Sequence, residues 1–265
     1  KKLFILLLAI LCVPFIHSTE DQFSSAITTS KIQAFKAGEK LNYRVHYGLI
    51  TAGTAELRVL KQLNHRGEEV YHVIGTGKSQ GITEMLFKTR EHYESYIRTT
   101  DFYPVEFIRD IDEGGYKTKR HIIFDQEENK AKDLAFDADS SFSLNTKMLD
   151  VFSALYYARS IDASQLRKGQ TIPMTIFLDH EPFHFKLKYL GKEKIKVKRK
   201  GKITCLKFKP IVQAGRVFKE KESATIWISD DANKVPILLK SELMVGSIKM
   251  ELTDYQNLAH PIHFK

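Results

Sequence analysis

Cysteine is scarce: Cys12 and Cys205 are the only two in 265 residues. Cys12 falls inside an N-terminal apolar run, so a chain that has lost that run has only Cys205, and no internal disulfide can form. Past the N-terminus, no apolar segment reaches the roughly twenty residues that cross a bilayer as a helix. This excludes a helical membrane span in the mature chain. The sequence also lacks a G-x-S-x-G elbow, a P-loop and a dinucleotide fingerprint, and Gly75-Thr76-Gly77 is not followed by a helix of the needed kind.

The first residues, Lys1-Lys2, an apolar core from Leu3 to Leu11, and then Val13-Pro14-Phe15-Ile16-His17-Ser18, have the form of a secretory signal peptide. Cleavage is expected after Ser18. A lipid anchor on Cys12 is disfavoured because Leu11, not a small residue, precedes it, so export to the periplasm or beyond is expected without an anchor. The formal charge of +9 becomes +7 once Lys1 and Lys2 leave, and much of the surplus lies between Lys186 and Lys209. Nucleic acid is not an expected partner of an exported chain. Cys205, between Thr204 and Leu206, reads as a small buried hydrophobe within a strand.

From Leu41 the residues alternate, with Leu41, Tyr43, Val45 and Tyr47 on one side and Asn42, Arg44 and His46 on the other, as in a strand with one wet face. A turn-like Gly48 to Gly53 follows, and then Ala55, Leu57 and Val59 alternate until Leu60 breaks the pattern. Similar runs at 69–76, 92–98, 105–110 and 116–125 make a meander, with Asp112-Glu113-Gly114-Gly115 as a hairpin turn. Ile82, Met85 and Leu86 mark a short helix over 81–87. One longer helix is expected from about Thr146 to Ser160, where Met148, Phe152, Leu155 and Tyr156 share a face.

Two alignments suggest an internal repeat. Gly38 to Val45 matches Gly169 to Ile176, and Tyr93 to Arg98 matches Ala224 to Ser229, both at nearly the same offset. The alternative is that any two meanders align this loosely. The domain reading is a signal peptide at 1–18, an N-terminal segment at 19–37 and one β-rich domain at 38–265, with possible halves at 38–144 and 165–257 joined by a helix.

The stretch Asp179-His180-Glu181-Pro182-Phe183-His184-Phe185 contains H-E-x-x-H, the letters of a zinc protease. That motif needs a helix to set both histidines on one face. Pro182 would cost a helix interior about 3 kcal/mol. The stretch reads instead as a hairpin turn between strands, so no metal or cofactor is assigned. His46, His65, His72, His92 and His121 read as members of solvated faces, and Asp110, Asp112, Asp230 and Asp231 as turn formers. No catalytic residue is assigned, and the expectation is a protein that is not an enzyme.

Two resemblances follow from the residues. Gly38 to Gly48 with Ala52 to Leu57, Asp150 to Arg159, and Ile226 to Asp231 with Val235-Pro236-Ile237 resemble exported bacterial proteins grouped as domain of unknown function 3108. The W-I-x-D pattern followed by Pro is similar, more distantly, to the periplasmic lipoprotein carriers and acceptors LolA and LolB. That second resemblance implies a strongly curved antiparallel sheet, an unclosed barrel around an apolar lipid-holding cavity, with helices as a plug.

The sequence therefore suggests a mainly β protein of two similar meanders in which Tyr43, Val45, Tyr47, Leu57, Phe152, Tyr156 and Trp227 are candidates to line an apolar or lipid-like ligand site. Ordinary core packing is the competing reading for each. Lys188, Lys194, Lys196 and Lys198 are candidates for contact with an anionic envelope surface, or else guard a strand edge against aggregation. The alternative function is a structural or interaction module that binds an envelope protein or glycan, without a ligand cavity.

Overall fold

Alternating apolar and polar residues generate almost all of the computed structural model, which describes residues 33–137, 139–212, 224–243 and 245–265. The expected signal peptide and most of the 19–37 segment lie outside the described residues. The first half of the chain forms β1 (Lys40–Tyr47), β2 (Ile50–His65), β3 (Glu68–Ser79), β4 (Thr89–Arg98), β5 (Pro104–Glu113), β6 (Tyr116–Asp125), β7 (Lys130–Asp133) and β8 (Phe142–Ser143). The second half forms β9 (Thr171–Leu178), β10 (Glu181–Val197), β11 (Gly201–Val212), β12 (Ala224–Ser229), β13 (Pro236–Glu242) and β14 (Ser247–Gln256). Helix α1 (Gly81–Leu86) lies between β3 and β4, and α2 (Val151–Ser160) links the halves.

All fourteen strands join one antiparallel sheet in the order β8-β7-β6-β5-β4-β3-β2-β1-β14-β13-β12-β11-β10-β9. The two meanders meet where β1 pairs with β14, Tyr43 opposite Leu252. The strands matched by the two sequence alignments are β1 with β9 and β4 with β12. Because neighbours are antiparallel, connections alternate between two rims of the sheet. The rim that holds α1 also carries the β1–β2, β5–β6, β9–β10 and β13–β14 turns, and it is called the α1 rim below.

Three local expectations are corrected. The first turn is only Gly48-Leu49, because Ile50 already pairs with Tyr47. Leu60 breaks the alternation because a register shift between Val59 and Lys61 makes it the extra residue of a bulge against β3. The long helix starts at Val151, not near Thr146, because the residues before it are extended: Leu149 N–H donates to Thr175 O at 3.1 Å and Phe177 N–H to Leu149 O at 2.8 Å. Leu149 thereby adds a parallel bridge to the edge of β9.

The sheet is not closed by hydrogen bonds, but side chains join its two ends. The β9–β10 turn, Asp179-His180, has φ of +48° and +70°, as a two-residue type I′ hairpin requires. His180 bonds Asp133 at 2.7 Å, and Asp179 pairs with Arg109. The His180 ring stacks on Phe142 with centroids 4.3 Å apart, and Phe177 meets Phe124 at 6.0 Å.

Helix α2 covers the inner face. Its N-cap is Asp150, whose Oδ1 accepts from the N–H groups of Phe152 (2.7 Å) and Ser153 (2.9 Å). At the other end the fully buried Arg159 donates to both oxygens of Glu39, at 2.6 and 2.8 Å, and to the carbonyls of Ala34 (3.2 Å) and Asn233 (3.0 Å). Its guanidinium lies 5.2 Å from the ring centroids of both Phe35 and Tyr156.

Two predictions follow. A Cβ at Gly75 would lie 2.2 Å from Phe152 Cζ, so Gly75→Ala should cost about 1–3 kcal/mol by urea denaturation, with Phe152→Leu in the same chain recovering part of the loss. Arg159→Met alone should cost about 3–5 kcal/mol, because it strands a buried Glu39, whereas the double variant Glu39→Leu/Arg159→Met should cost clearly less. A loss in the double variant equal to the sum of the losses in Arg159→Met and Glu39→Leu alone would show that the pair is not coupled.

Candidate functional site

On the inner face, the strands of both halves and α2 leave a cavity of about 240 Å³. An engineered apolar void of roughly 150 Å³ already stays dry and accepts benzene, so this one has room for a small apolar group. Its walls include Tyr43, Val45 and Leu57 from the first half and Met174, Ile176, Phe208 and Ile226 from the second, with Phe152, Leu155 and Ala158 of α2 as a roof. The charged residues at its boundary are Glu56, Glu91 and Lys234. Several lining positions are small, which leaves space: Gly75, Gly77 and Ala55 on the sheet and Ala154 on α2.

The seven sequence candidates separate cleanly. Tyr43, Val45, Leu57 and Phe152 line the cavity. Tyr156 is fully buried beneath Arg159 and against Phe35, with ring centroids 4.5 Å apart, and serves the core instead. Tyr47 stands at the α1 rim, where its hydroxyl donates to Val245 O at 3.0 Å. Trp227 faces the other way: it pairs with Lys207, its indole N–H donates to Glu193 Oε2 at 3.1 Å, and its neighbours Ile226 and Ile228 take the cavity side. The walls contributed by β9 and β11 were overlooked, although Ile172, Met174 and Ile176 alternate as plainly as the residues of β1.

One end of the cavity holds a buried carboxyl. Burial, and then the neighbouring Glu113 carboxylate, raise the Glu91 carboxyl well above its usual range. The two carboxyl groups stand close to one another. Neither was singled out by sequence, because their diagonal placement on the paired strands β4 and β5, with Glu91 opposite Ile111 and Glu113 opposite Thr89, and not sequence spacing brings them together.

Lys188, Lys194, Lys196 and Lys198 lie along β10 and just beyond it. The pairing of β9 with β10 stops at Thr171 and Lys188, so Lys194 and Lys196 stand on a stretch that has a neighbour only in β11. The histidines are less scattered than the sequence suggested. On the outer face the ring of Tyr96 stacks between His65 (4.1 Å) and His72 (4.3 Å). Glu94 accepts from His72 (2.6 Å) and His92 (2.8 Å), while Glu106 binds His65 (2.9 Å), His121 (2.8 Å) and Arg66 (2.8 Å). Burial alone would raise Glu106, but these bonds outweigh it and hold the carboxyl at about 2. Among the described residues no group of His, Cys, Asp and Glu has the arrangement to hold a metal ion. His184 of the H-E-x-x-H letters bonds Thr175 Oγ1 at 2.9 Å, away from His180, which is clasped to Asp133. Cys205 is buried, and burial pushes its thiol up to about 12.

The fold class is therefore a β-barrel-like protein whose sheet remains open. Residues 42–253 match the model of a protein family of unknown function, DUF3108, and the chain belongs to that family. Among solved structures it is similar to the β-barrel-like protein of domain of unknown function DUF1849 from Brucella abortus, at 8% identity and a TM-score of 0.58, covering 84% of this chain and 99% of that one. It is also similar, at 11% identity and a TM-score of 0.42, to a DUF1089 family protein from Pseudomonas aeruginosa, covering 72% of this chain and 90% of that one. No functionally curated protein matches the sequence. No helix among the described residues is long and apolar enough to cross a membrane.

Asp150, fully buried at the roof's N-terminus, yields a test of this geometry. Burial raises its carboxyl to about 6, despite opposing bonds from Ser95 Oγ (2.5 Å) and the helix N–H groups. A carboxyl that is raised on folding lends stability below its unfolded value of 3.8 and loses it as pH rises through about 6. Relative to Asp150→Asn, which can still cap the helix, the wild type should lose about 3 kcal/mol between pH 4 and 6.5. A constant difference across that range would show that Asp150 titrates normally.

Proposed function

We propose that this protein is a non-enzymatic, exported carrier that holds an apolar, acyl-chain-like ligand between the sheet and helix α2. The observation that carries the reading is the cavity of about 240 Å³, walled by apolar side chains from both halves and roofed by the helix. Large concave apolar sites with few polar groups are typical of small-molecule binding, and they form where a sheet curls around a plug. The basic N-terminal segment with its apolar run supports export, and the envelope is where such a carrier would act. The Glu91–Glu113 pair supplies a polar end for an otherwise apolar ligand.

Protein recovered after export should carry a stoichiometric acyl-chain compound, visible as a mass adduct in native mass spectrometry and released by organic extraction. Ala55→Trp, which places a large ring inside the walls, should reduce uptake of an environment-sensitive fatty-acid probe at least tenfold while leaving the melting temperature within a few degrees. An empty protein that takes up no probe, or an Ala55→Trp variant that binds as the wild type does, would remove the carrier reading.

A further inference from the structure

Exposed large hydrophobic side chains are unevenly distributed over the molecule. Of the ten in the described residues, eight stand on the connections or strand ends of the α1 rim, and the other two, Leu134 and Phe136, follow β7 at the sheet's edge. No large hydrophobic residue is exposed on the opposite rim among the described residues. The centre of the cluster is contiguous, because strand order places α1, the β1–β2 turn and the β13–β14 turn side by side. Leu49 is fully exposed, Met85 is 87% and Leu86 80% exposed, and Ile50, Ile82 and Val245 complete the patch. These are held positions: Gln80 N–H donates to Ala52 O at 2.9 Å and Tyr47 Oη to Val245 O at 3.0 Å.

We propose that the α1 rim docks on the surface of an anionic phospholipid bilayer. Three observations select a lipid surface over another occupant. The apolar groups project from the tips of separate turns, which suits insertion between headgroups and does not form a groove for a peptide or helix. Exposed Lys78, Lys88 and Lys249 surround the tips and have no ion pair among the described residues, whereas the nearby carboxylates are engaged: Glu84 with Arg90 at 2.6 Å, Asp112 with Lys117 at 3.8 Å, and Glu242 with Lys240. The rim therefore presents net positive charge around apolar points, the complement of anionic headgroups over acyl chains. Finally, the cavity reaches this rim: Val45, Gly77 and Pro210, each two residues from its strand's end there, belong to its wall. The docking proposal does not depend on cargo, since an empty protein has the same rim.

Vesicle flotation tests it on the exported protein as its host releases it. Wild type should float with phosphatidylcholine vesicles containing phosphatidylglycerol, and roughly tenfold or more weakly with phosphatidylcholine alone. Leu49→Asp/Met85→Asp/Leu86→Asp should weaken flotation at least about tenfold, and Lys78→Glu/Lys88→Glu/Lys249→Glu should abolish the preference for phosphatidylglycerol. Lys194→Glu/Lys196→Glu on β10 should change nothing. Leu49→Asp alone, at a side chain fully exposed to solvent, gives a reading in a folded protein even if the triple variant melts early. Flotation that persists through the Leu49 and triple variants overturns the proposal, as does a wild type that does not float. So does light scattering that shows a dimer which the triple variant dissolves, which would assign the rim to a second copy of the chain.

Discussion

The buried pair of Arg159 and Glu39 is the constraint on which the rest of the arrangement depends. A guanidinium and a carboxylate removed from water are tolerated only with nearly complete compensation. That compensation comes from four parts of the chain: the last turn of α2, the segment at Ala34 and Phe35, Glu39 at the head of β1, and Asn233 in the β12–β13 connection. Asn233 in turn donates to His260 O at 2.9 Å and accepts from His260 N–H at 2.8 Å, so the C-terminal segment is fastened to the same point. One ionic contact thus gathers both ends of the described chain, the helix and the sheet at a single rim.

The consequence is asymmetry. With the rim opposite α1 filled by the pair and its partners, α2 is anchored at its C-terminal end and lies over the inner face, its N-terminus held by Ser95 through Asp150. The curl of the sheet is fixed separately, by the meeting of His180 and Asp179 with β5, β6 and β7. A sheet that curls this far but stays open can change its interior volume without breaking a ladder of backbone bonds. Free space remains between the helix and the sheet, walled by residues of both halves.

Period-two alternation made the strands legible, because burial on one face is what strands need and what sequence records most directly. The helix was legible as an element but not at its start. Met148 and Leu149 are apolar at helical spacing, yet Leu149 is used as a bridge to β9, a tertiary contact that no local pattern encodes. Trp227 was misjudged for a related reason. It is among the most apolar residues of its strand, but the register opposite Lys207 decides its face, and Ile226 and Ile228 line the cavity instead. The histidine cluster could not be read at all: His65, His72, His92 and His121 come from four strands and meet only because β2, β3, β4, β5 and β6 pair in register around Tyr96 and Glu106.

Helix α1 separates what a sequence pattern can show from what it cannot. Ile82, Met85 and Leu86 announced a helix by their spacing, and in a domain of this size such a face normally packs inward. Here all three face solvent, while the helix is held through its backbone and through Glu84, which accepts from Ser79 Oγ at 2.5 Å and pairs with Arg90. A six-residue helix has too few internal bonds to persist alone. Its polar residues therefore fix its place while its apolar ones contribute nothing to the described core. Apolar side chains held out at defined positions, beside a cavity wall that ends at the same rim, are an arrangement that folding stability by itself does not require. The docking proposed for that rim would account for it.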